Sequence, residues 1–253
     1  MMSLSLAPVV NKDAEFQSLP LFQGVETDLL HGLIASARFV QHNKGTVFLG
    51  QGQPVTRFYV VLDGWCGATK NNSDGQESIL QIYRTGDFLP EPAQVTAPMT
   101  STMNLQALTS VRLAMLAPTL VRNALEHSKM FAANMLAASV RRSDALRDHV
   151  EQLTLHNAEE RVGRFLLDMR LQVSGGGPDI ILPFDKTKIA AYLGIKPETL
   201  SRALQNFKDQ GFAIDRNHLR MPDPHALCDY CDLSVARHCP HANTDDCPDA
   251  TVS

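Results

Sequence analysis

Four cysteines lie close together near the end of the sequence, and their spacing suits metal binding. A Cys-x-x-Cys start is followed by two Cys-Pro pairs: Cys228, Cys231, Cys239 and Cys247. Four thiolates are the full ligand set of one iron–sulfur cluster or of one tetrahedral zinc ion. The cytosol keeps thiols reduced and so disfavours disulfides. In a cytosolic protein, cysteines close together therefore indicate metal binding or redox chemistry.

The pattern favours a [4Fe–4S] cluster, and it leaves other sites open. A zinc ribbon usually has two Cys-x-x-Cys knuckles, whereas this tail has one, although His238 and His241 would allow a mixed zinc site. A thiol–disulfide switch is a third alternative. Upstream, Cys66, His31 and His42 are possible haem ligands, but a single cysteine beside a tryptophan is usually a small core residue.

A second group of residues could read DNA. The segment Lys186–Lys208, KTKIAAYLGIKPETLSRALQNFK, predicts two short helices joined by a turn at Gly194, with Pro197 at the first position of the second helix. Apolar residues at i, i+3, i+4 and i+7 mark the buried side of that helix. These residues are Leu200, Ala203, Leu204 and Phe207.

The opposite side of the second helix carries the candidate base contacts. They are Lys196, Glu198, Thr199, Ser201 and Arg202. Arginine can donate two hydrogen bonds to guanine, glutamate can accept from the cytosine amino group, and a serine hydroxyl can do either. The alternative is a surface Glu–Arg pair worth a few tenths of a kcal/mol, about 0.3. The two-helix context and the hairpin predicted at 212–221 favour DNA, with Arg216, His218 and Arg220 on phosphates.

Upstream elements are expected to position this DNA reader. Residues from about 20 to 116 predict a β domain, because short Val-, Ile-, Phe- and Tyr-rich runs alternate with glycine turns. The predicted strands are Thr46–Leu49, Arg57–Leu62, Ser78–Tyr83, Met103–Ala107 and Val111–Leu116. Pro118 then opens a helical region with no glycine or proline until Gly163.

The second half of that region, roughly Ser128–Leu155, has a narrow apolar stripe. It consists of Phe131, Met135, Leu136, Val140, Leu146, Val150 and Leu153, interrupted by Ser139, Arg142 and Ser143. Such a stripe is typical of a dimer seam, or of a helix lying on its own β domain. A second helix is predicted at Ala158–Val173, and a strand, two helices and a hairpin between Ile180 and Met221.

These segments resemble the CRP/FNR family. ETLSR is similar to the recognition helix of the oxygen-responsive FNR branch, HNAEERVGRFLLDMR to the junction before the DNA-binding domain, and GQGQPVTRFYVVLDG and RTGDFLPE to the effector domain. The resemblance implies an α+β fold: an N-terminal β-roll (a cyclic-nucleotide-binding-like jelly roll), a long dimerisation helix and a C-terminal winged helix-turn-helix. The implied domains are 18–117, 118–156, 157–224 and a cysteine-rich tail at 225–253.

The resemblance also implies function. A homodimer would bind a two-fold-related site in promoter DNA, with Glu198, Ser201 and Arg202 on bases and RNA polymerase as a further partner. The tail is similar to the C-terminal cysteine group that carries the cluster in Bacillus-type FNR proteins, though its spacing differs. Together these features predict a transcription regulator that responds to oxygen or redox state.

Cyclic AMP is not the expected effector. Nucleotide-binding members of the family follow a Gly-Glu pair with an Arg-Ser pair, whereas here Pro90 precedes Glu91 and Ser101–Thr102 stands at the Arg-Ser position. A cyclic phosphate needs a cation or free amide donors. Neither is evident between Pro90 and Asn104, so the predicted β-roll lacks a phosphate site.

Composition agrees with a DNA-binding regulator and excludes other classes. The 253 residues, 44% hydrophobic and 20% charged, suffice for two globular domains. The net charge of -4 is uneven: ten Lys/Arg and nine Asp/Glu lie in 156–225, against one Arg and five Asp in 226–253. No stretch is apolar enough to span a membrane and no signal peptide is recognisable, so a cytoplasmic location is expected. No catalytic motif or nucleotide fingerprint indicates an enzyme.

Overall fold

The computed structural model describes residues 12–71, 73, 75–90, 100–173, 178–223, 225–231 and 239. These residues form two units. One contains the chain up to Thr69 together with Gln81–Ser143, and the other contains Lys70–Leu80 and the chain from Asp144 onward. Among the described residues, no helix combines the length and the apolar character that a membrane span requires.

The first unit begins with helices rather than with strands. Helix α1 covers Lys12–Ser18, a 3-10 turn covers Pro20–Phe22, and α2 covers Thr27–Ser36. The predicted β domain from residue 20 was therefore wrong for its first part. Leu30, Leu33 and Ile34 recur at helical spacing and are all buried, so this segment presents one apolar face to the core.

Eight strands among the described residues build the β-roll. They are β1 Arg38–His42, β2 Val47–Leu49, β3 Phe58–Asp63, β4 Cys66–Asn71, β5 Glu77–Tyr83, β6 Phe88–Leu89, β7 Asn104–Ala107 and β8 Val111–Leu116. One sheet has the order β1-β8-β3-β6 and the other β2-β7-β4-β5. The five predicted strands are confirmed to within a residue or two at their ends, whereas β1, β4 and β6 were not predicted.

The β-roll has two apolar layers. Between the sheets, Leu49, Cys66 and Leu105 of one sheet meet Tyr59 and Leu113 of the other. The outer face of the β3–β8 sheet is covered by helices, which contribute a second cluster of buried side chains. This cluster joins Leu30, Phe58, Ala114, Val121 and Phe131. The β-roll therefore has a closed hydrophobic interior typical of a jelly roll.

Three helices follow one another from Pro118 onward. They are α3 Pro118–His127, α4 Lys129–Leu155 and α5 Ala158–Val173. The break between α3 and α4 falls at Ser128, whose hydroxyl accepts a hydrogen bond from the Phe131 N–H at 3.1 Å and so caps α4. The predicted helices at 128–155 and 158–173 are confirmed.

The second unit contains a winged helix-turn-helix. Its elements are β9 Asp179–Ile181, α6 Lys186–Leu193, α7 Pro197–Asp209, β10 Ala213–Asp215 and β11 His218–Arg220, followed by a 3-10 turn at Cys228–Tyr230. The strands form a small antiparallel sheet in the order β10-β11-β9. The predicted strand, two helices and hairpin are confirmed, and the α+β architecture is the one expected.

Candidate nucleic-acid interface and cysteine turn

The turn between α6 and α7 sets the direction of the candidate DNA-reading helix. Asp185 caps α6, since its carboxylate accepts a hydrogen bond from the Lys188 N–H at 3.0 Å. Gly194 ends α6 with φ +63°, a left-handed conformation that suits glycine. Pro197 then occupies the first turn of α7, where its missing N–H costs nothing.

Helix α7 has the two faces that the sequence predicts. Leu200, Ala203, Leu204 and Phe207 are all buried. The predicted base contacts are exposed except for Thr199, which is half-buried: Lys196, Glu198, Thr199, Ser201 and Arg202. The Arg202 guanidinium reaches the Thr199 hydroxyl at 3.5 Å, so it stays close to the N-terminal half of the helix. That half is the part which enters the major groove in helix-turn-helix proteins.

The hairpin after α7 places three basic side chains on the surface. Asp215 pairs with His218 in the β10–β11 register, which leaves Arg216 and Asn217 as the loop. Arg216 has φ +50°, a conformation that residues other than glycine adopt rarely. Arg216, His218 and Arg220 are exposed, as a wing that contacts phosphates requires.

The junction of α4 and α5 depends on an arginine that the sequence interpretation did not single out. The Arg161 guanidinium donates hydrogen bonds to the carbonyl oxygens of Leu153 at 2.8 Å, His156 at 3.0 Å and Leu193 at 3.1 Å. These carbonyls lie at the C-terminal ends of α4 and α6, where backbone acceptors lack partners within the helix. A single side chain thus ties the α4–α5 junction to the helix-turn-helix.

A histidine–tyrosine stack joins the same helices. The rings of His149 on α4 and Tyr192 on α6 are parallel within 10° and 4.4 Å apart. Burial, reinforced by the charge of Arg161, lowers the pKa of His149 below its ordinary 6.5. Burial also raises the pKa of Tyr192 above its ordinary value. The folded unit therefore favours the neutral form of the His149 imidazole.

The first two tail cysteines lie on a short hydrogen-bonded turn, called the cysteine turn here and comprising Cys228–Cys231. The Cys228 N–H donates to the His225 carbonyl at 2.8 Å, and the Cys231 N–H donates to the Cys228 carbonyl at 2.8 Å. Both cysteines are half-buried. The Cys228 sulfur lies 3.8 Å from Nδ1 of His225. A fixed turn therefore presents two thiols at the surface of the DNA-binding unit.

Apolar contacts attach the cysteine turn to α5 and α7. Leu227 is fully buried, and the Tyr230 ring lies 5.7 Å from the Phe207 ring of α7, centroid to centroid. On α5, a Cβ added at Gly163 would come within 2.5 Å of the Tyr230 ring. Burial, aided by Glu159, Asp229 and Glu160, raises the pKa of Tyr230. The i, i+3 pair of Leu227 and Tyr230 was the sequence signal for this attachment, and it was missed.

The structure brings two of the four predicted metal ligands together. Cys239 is half-buried, whereas Cys247, His238 and His241 lie outside the described residues. Within the described part of the chain, no three His, Cys, Asp or Glu side chains gather as a metal site. Next to the turn, burial lowers the pKa of Arg164, while Asp148, Glu151 and Asp168 and a charge on Cys231 act in the opposite direction. Cys231 thus lies near a guanidinium.

The β-roll residues at the effector position have a structural role. Ser101 is 5% exposed, and its hydroxyl donates to the Met103 carbonyl at 2.6 Å. The Ser101 backbone N–H donates to Gln53, and its carbonyl accepts from Gly52. Glu91 lies outside the described residues. Ser101 therefore closes a turn and supplies no cation for a phosphate.

The possible haem ligands, Cys66, His31 and His42, lie in three different surroundings. Cys66 is fully buried between the sheets, and burial raises the pKa of its thiol to about 12. Such a thiol resists becoming the thiolate that ligates iron. His31 is exposed, with its ring 3.6 Å from the Asp13 carboxylate, and the His42 ring stacks on Phe48 at 5.4 Å. The burial of Cys66 among the apolar side chains between the sheets favours its interpretation as a core residue.

Two family models match the chain. The model described as "Cyclic nucleotide-binding domain" matches residues 39–128, which contain the β-roll strands and α3. The model described as "Crp-like helix-turn-helix domain" matches residues 160–230, from α5 to the end of the 3-10 turn.

Similar proteins with this arrangement are transcription regulators rather than enzymes. The nitrogen fixation regulation protein FixK of Bradyrhizobium diazoefficiens is 27% identical over 191 residues, which cover 74% of this chain and 79% of FixK. A CRP-like cAMP-activated global transcriptional regulator of Mycobacterium tuberculosis is 23% identical over 195 residues, 76% of this chain and 87% of that protein. The solved structure of FixK2 from Bradyrhizobium japonicum has a TM-score of 0.69 at 23% identity, covering 78% of this chain and 98% of FixK2.

Proposed function

Since the chain is a DNA-binding transcription regulator of the CRP/FNR family, we propose that it responds to oxygen or redox state through an iron–sulfur cluster on its C-terminal cysteines. The observation that carries this proposal is the cysteine turn, which presents Cys228 and Cys231 together on the DNA-binding unit. The regulator would act in the cytoplasm, on promoter DNA and together with RNA polymerase.

The exposed face of α7 supports the proposed DNA contacts. Lys196, Glu198, Thr199, Ser201 and Arg202 would enter the major groove. Arg202 has the geometry for two hydrogen bonds to a guanine edge, while Glu198 and Ser201 can accept from amino groups of bases. Arg216 and Arg220 of the wing would neutralise backbone phosphates, which positions the helix without adding sequence information.

The apolar stripe of α4 supports a homodimer. Leu136 is 67% exposed, Val140 52% and Val150 59%, although all three are large apolar side chains. Regulators of this family act as dimers, and residues four apart on a helix, such as Leu136 and Val140, face the same side. Two copies of α4 would cover this stripe, and the two-fold axis would require a two-fold-related DNA site.

The donor set supports a metal on the tail. Cys228 and Cys231 would supply two thiolates from one turn, and Cys239 and Cys247 would complete the set of four. An iron–sulfur cluster bound there supplies an oxygen-labile, redox-active group. The chain itself contributes the thiolates, the hydrogen-bonded turn that spaces them, and the nearby positive charge of Arg164.

Zinc is a second candidate because of one contact. Nδ1 of His225 lies 3.8 Å from the Cys228 sulfur, and a mixed nitrogen and sulfur set is typical of structural zinc. A zinc-bound tail would stabilise the same turn without responding to oxygen. The two candidates therefore differ in the response of DNA binding to air.

An anaerobic DNA-binding experiment tests the proposal. Duplexes selected from a random library would be titrated with anaerobic protein, and fluorescence anisotropy would give the Kd before and after exposure to air. We expect the Kd to change by at least about fivefold, the lower end of typical couplings between sites. Cys228→Ala and Cys231→Ala should remove this response, and the matched control Cys66→Ala should keep it. An identical Kd before and after air in the wild type would contradict the proposal.

A further inference from the structure

We propose that Tyr230 docks the cysteine turn into a slot at Gly163, and that this docking couples the metal state of the tail to the DNA-reading helix within a single unit. The inference rests on the proposed metal site and concerns how that site reaches DNA. It needs neither the β-roll nor the dimer helix as an intermediary, because the turn touches the helix-turn-helix directly.

The slot exists because α5 has a glycine where Tyr230 approaches. Gly163 lies in mid-helix, where glycine is unfavourable relative to alanine. A Cβ at this position would lie 2.5 Å from both Cγ and Cδ1 of Tyr230. Because any side chain at residue 163 would overlap the Tyr230 ring, glycine allows the ring to approach α5 this closely.

The same ring reaches the DNA-reading helix from its buried side. Tyr230 is 5.7 Å from Phe207, centroid to centroid, and Phe207 is fully buried on the face of α7 that also carries Leu204. The exposed base-contact residues lie on the other face of this helix. A shift of the ring would therefore change what α7 packs against, and aromatic contacts of this kind contribute measurably to packing.

Tyr230 is also placed between the two thiols that would bind metal. It lies directly before Cys231 and two residues after Cys228, and the turn is closed by the bond from the Cys231 N–H to the Cys228 carbonyl. Metal binding would restrict this turn to the geometry that the two sulfurs require. Because the ring belongs to the turn, ordering the thiols also orders the ring on α5 and α7.

The coupling is reciprocal. If metal in the turn favours one position of α7, DNA bound to α7 must favour the same metal state by an equal factor in affinity. Releasing Tyr230 from its slot should remove this factor while leaving the four cysteines and the exposed face of α7 chemically unchanged. That separation makes the inference testable.

The test compares five full-length proteins purified anaerobically: the wild type, Gly163→Ala, Tyr230→Ala, Tyr230→Phe and the control Gly32→Ala. Gly32 is also a helical glycine, but a Cβ there would meet no heavy atom within 4 Å. Iron and zinc per chain are measured first. The Kd for DNA is then measured before and after the metal is removed from the same sample with a chelator.

We expect removal of the metal to change the wild-type Kd by about 5- to 150-fold, the usual range for coupled sites. Tyr230→Phe and Gly32→Ala should keep this ratio. Gly163→Ala and Tyr230→Ala should bring it to within about twofold of unity in samples that hold as much metal per chain as the wild type. A wild-type ratio in Tyr230→Ala would overturn the inference, even where Gly163→Ala fails to fold.

Failure of the proposed function gives a different pattern. Wild-type protein without metal would refute the cluster, and docking is then measured by the alkylation rate of Cys228 and Cys231 in the metal-free chain. Faster alkylation in Tyr230→Ala than in Tyr230→Phe, and slower alkylation of both thiols when DNA is bound, would support the docked turn and its link to α7. Equal rates in both variants would overturn it.

Discussion

Cys66 in the β-roll and the cysteine turn of the winged-helix unit carry the same functional group in opposite surroundings. Cys66 is fully buried between two sheets, with a thiol pKa raised to about 12 by burial. Cys228 and Cys231 are half-buried on a turn, near the imidazole of His225 and the guanidinium of Arg164. Of these three cysteines, Cys228 and Cys231 are accessible enough to present sulfur to a metal, so burial distinguishes the core cysteine from the candidate ligands.

The largest expected difference between these two regions is in thiol reactivity. A thiol with a pKa of about 12 instead of the ordinary 9.0 carries about a thousandfold less thiolate at neutral pH, and the thiolate is the form that reacts. In metal-free protein, iodoacetamide should modify Cys228 and Cys231 orders of magnitude faster than Cys66, which is fully buried. Pulsed alkylation followed by mass spectrometry measures the rates. Comparable rates for all three cysteines would show that Cys66 is not protected in solution.

A smaller effect is expected on DNA affinity when a base contact of α7 is removed. Arg202→Ala should weaken binding to selected duplexes by about 1–3 kcal/mol, because a bidentate contact to guanine is lost. Random-sequence DNA should be bound almost as before.

Arg216→Ala in the wing is the matched comparison for Arg202→Ala. It should weaken binding to selected and random duplexes alike, because phosphate contacts carry no sequence information. Anisotropy titrations on both DNAs decide between the roles. Equal losses on both DNAs for Arg202→Ala would make it another phosphate contact.

The stability of the winged-helix unit should depend on pH through the protonation of His149. The folded unit lowers the pKa of His149 below 6.5, so the unfolded chain takes up the proton more readily. The contribution of His149 to the free energy of unfolding is then fully present above pH 6.5. It is lost as the pH is lowered from 6.5 towards the pKa of the folded state, at up to about 1.4 kcal/mol per pH unit. Urea titrations between pH 7.5 and 5 measure this loss.

His149→Phe keeps the ring on Tyr192 and should reduce the loss of stability at low pH, whereas the exposed control His31→Gln should not. An unchanged pH dependence in His149→Phe would assign the effect to other groups.

The last prediction concerns the β-roll, for which we expect no response to cyclic AMP. Cyclic AMP at millimolar concentration should leave the Tm unchanged, because the buried Ser101 hydroxyl binds Met103 and supplies no cation for a phosphate. A saturable rise in Tm would mean that the native β-roll binds the nucleotide.

Much of the helix-turn-helix was predictable because its signals are local. Gly194 at a left-handed turn, Pro197 in the first helical turn and the spacing of Leu200 and Phe207 each dictate structure within a few residues. The bounds of α4 were equally accessible from its apolar stripe. In contrast, Cys66–Asn71 has few residues with high strand propensity, and β4 forms because it pairs with β7.

The contacts that connect the sites were less predictable because they join residues distant in sequence. Arg161 gains its role from the carbonyl of Leu193 on another helix, and Gly163 gains its role from Tyr230 near the end of the described chain. A glycine inside a helical pattern signals close approach of another group, but not which group. The partner of Gly163 becomes evident only in the folded unit.

The metal content of anaerobically purified protein tests the account most directly. Iron, acid-labile sulfide and zinc should be quantified per chain together with the visible spectrum, before and after exposure to air. The account predicts brown protein with about four irons per chain that loses its colour in air. Colourless protein with one zinc per chain would contradict it and leave a zinc-stabilised tail on the same DNA-binding dimer.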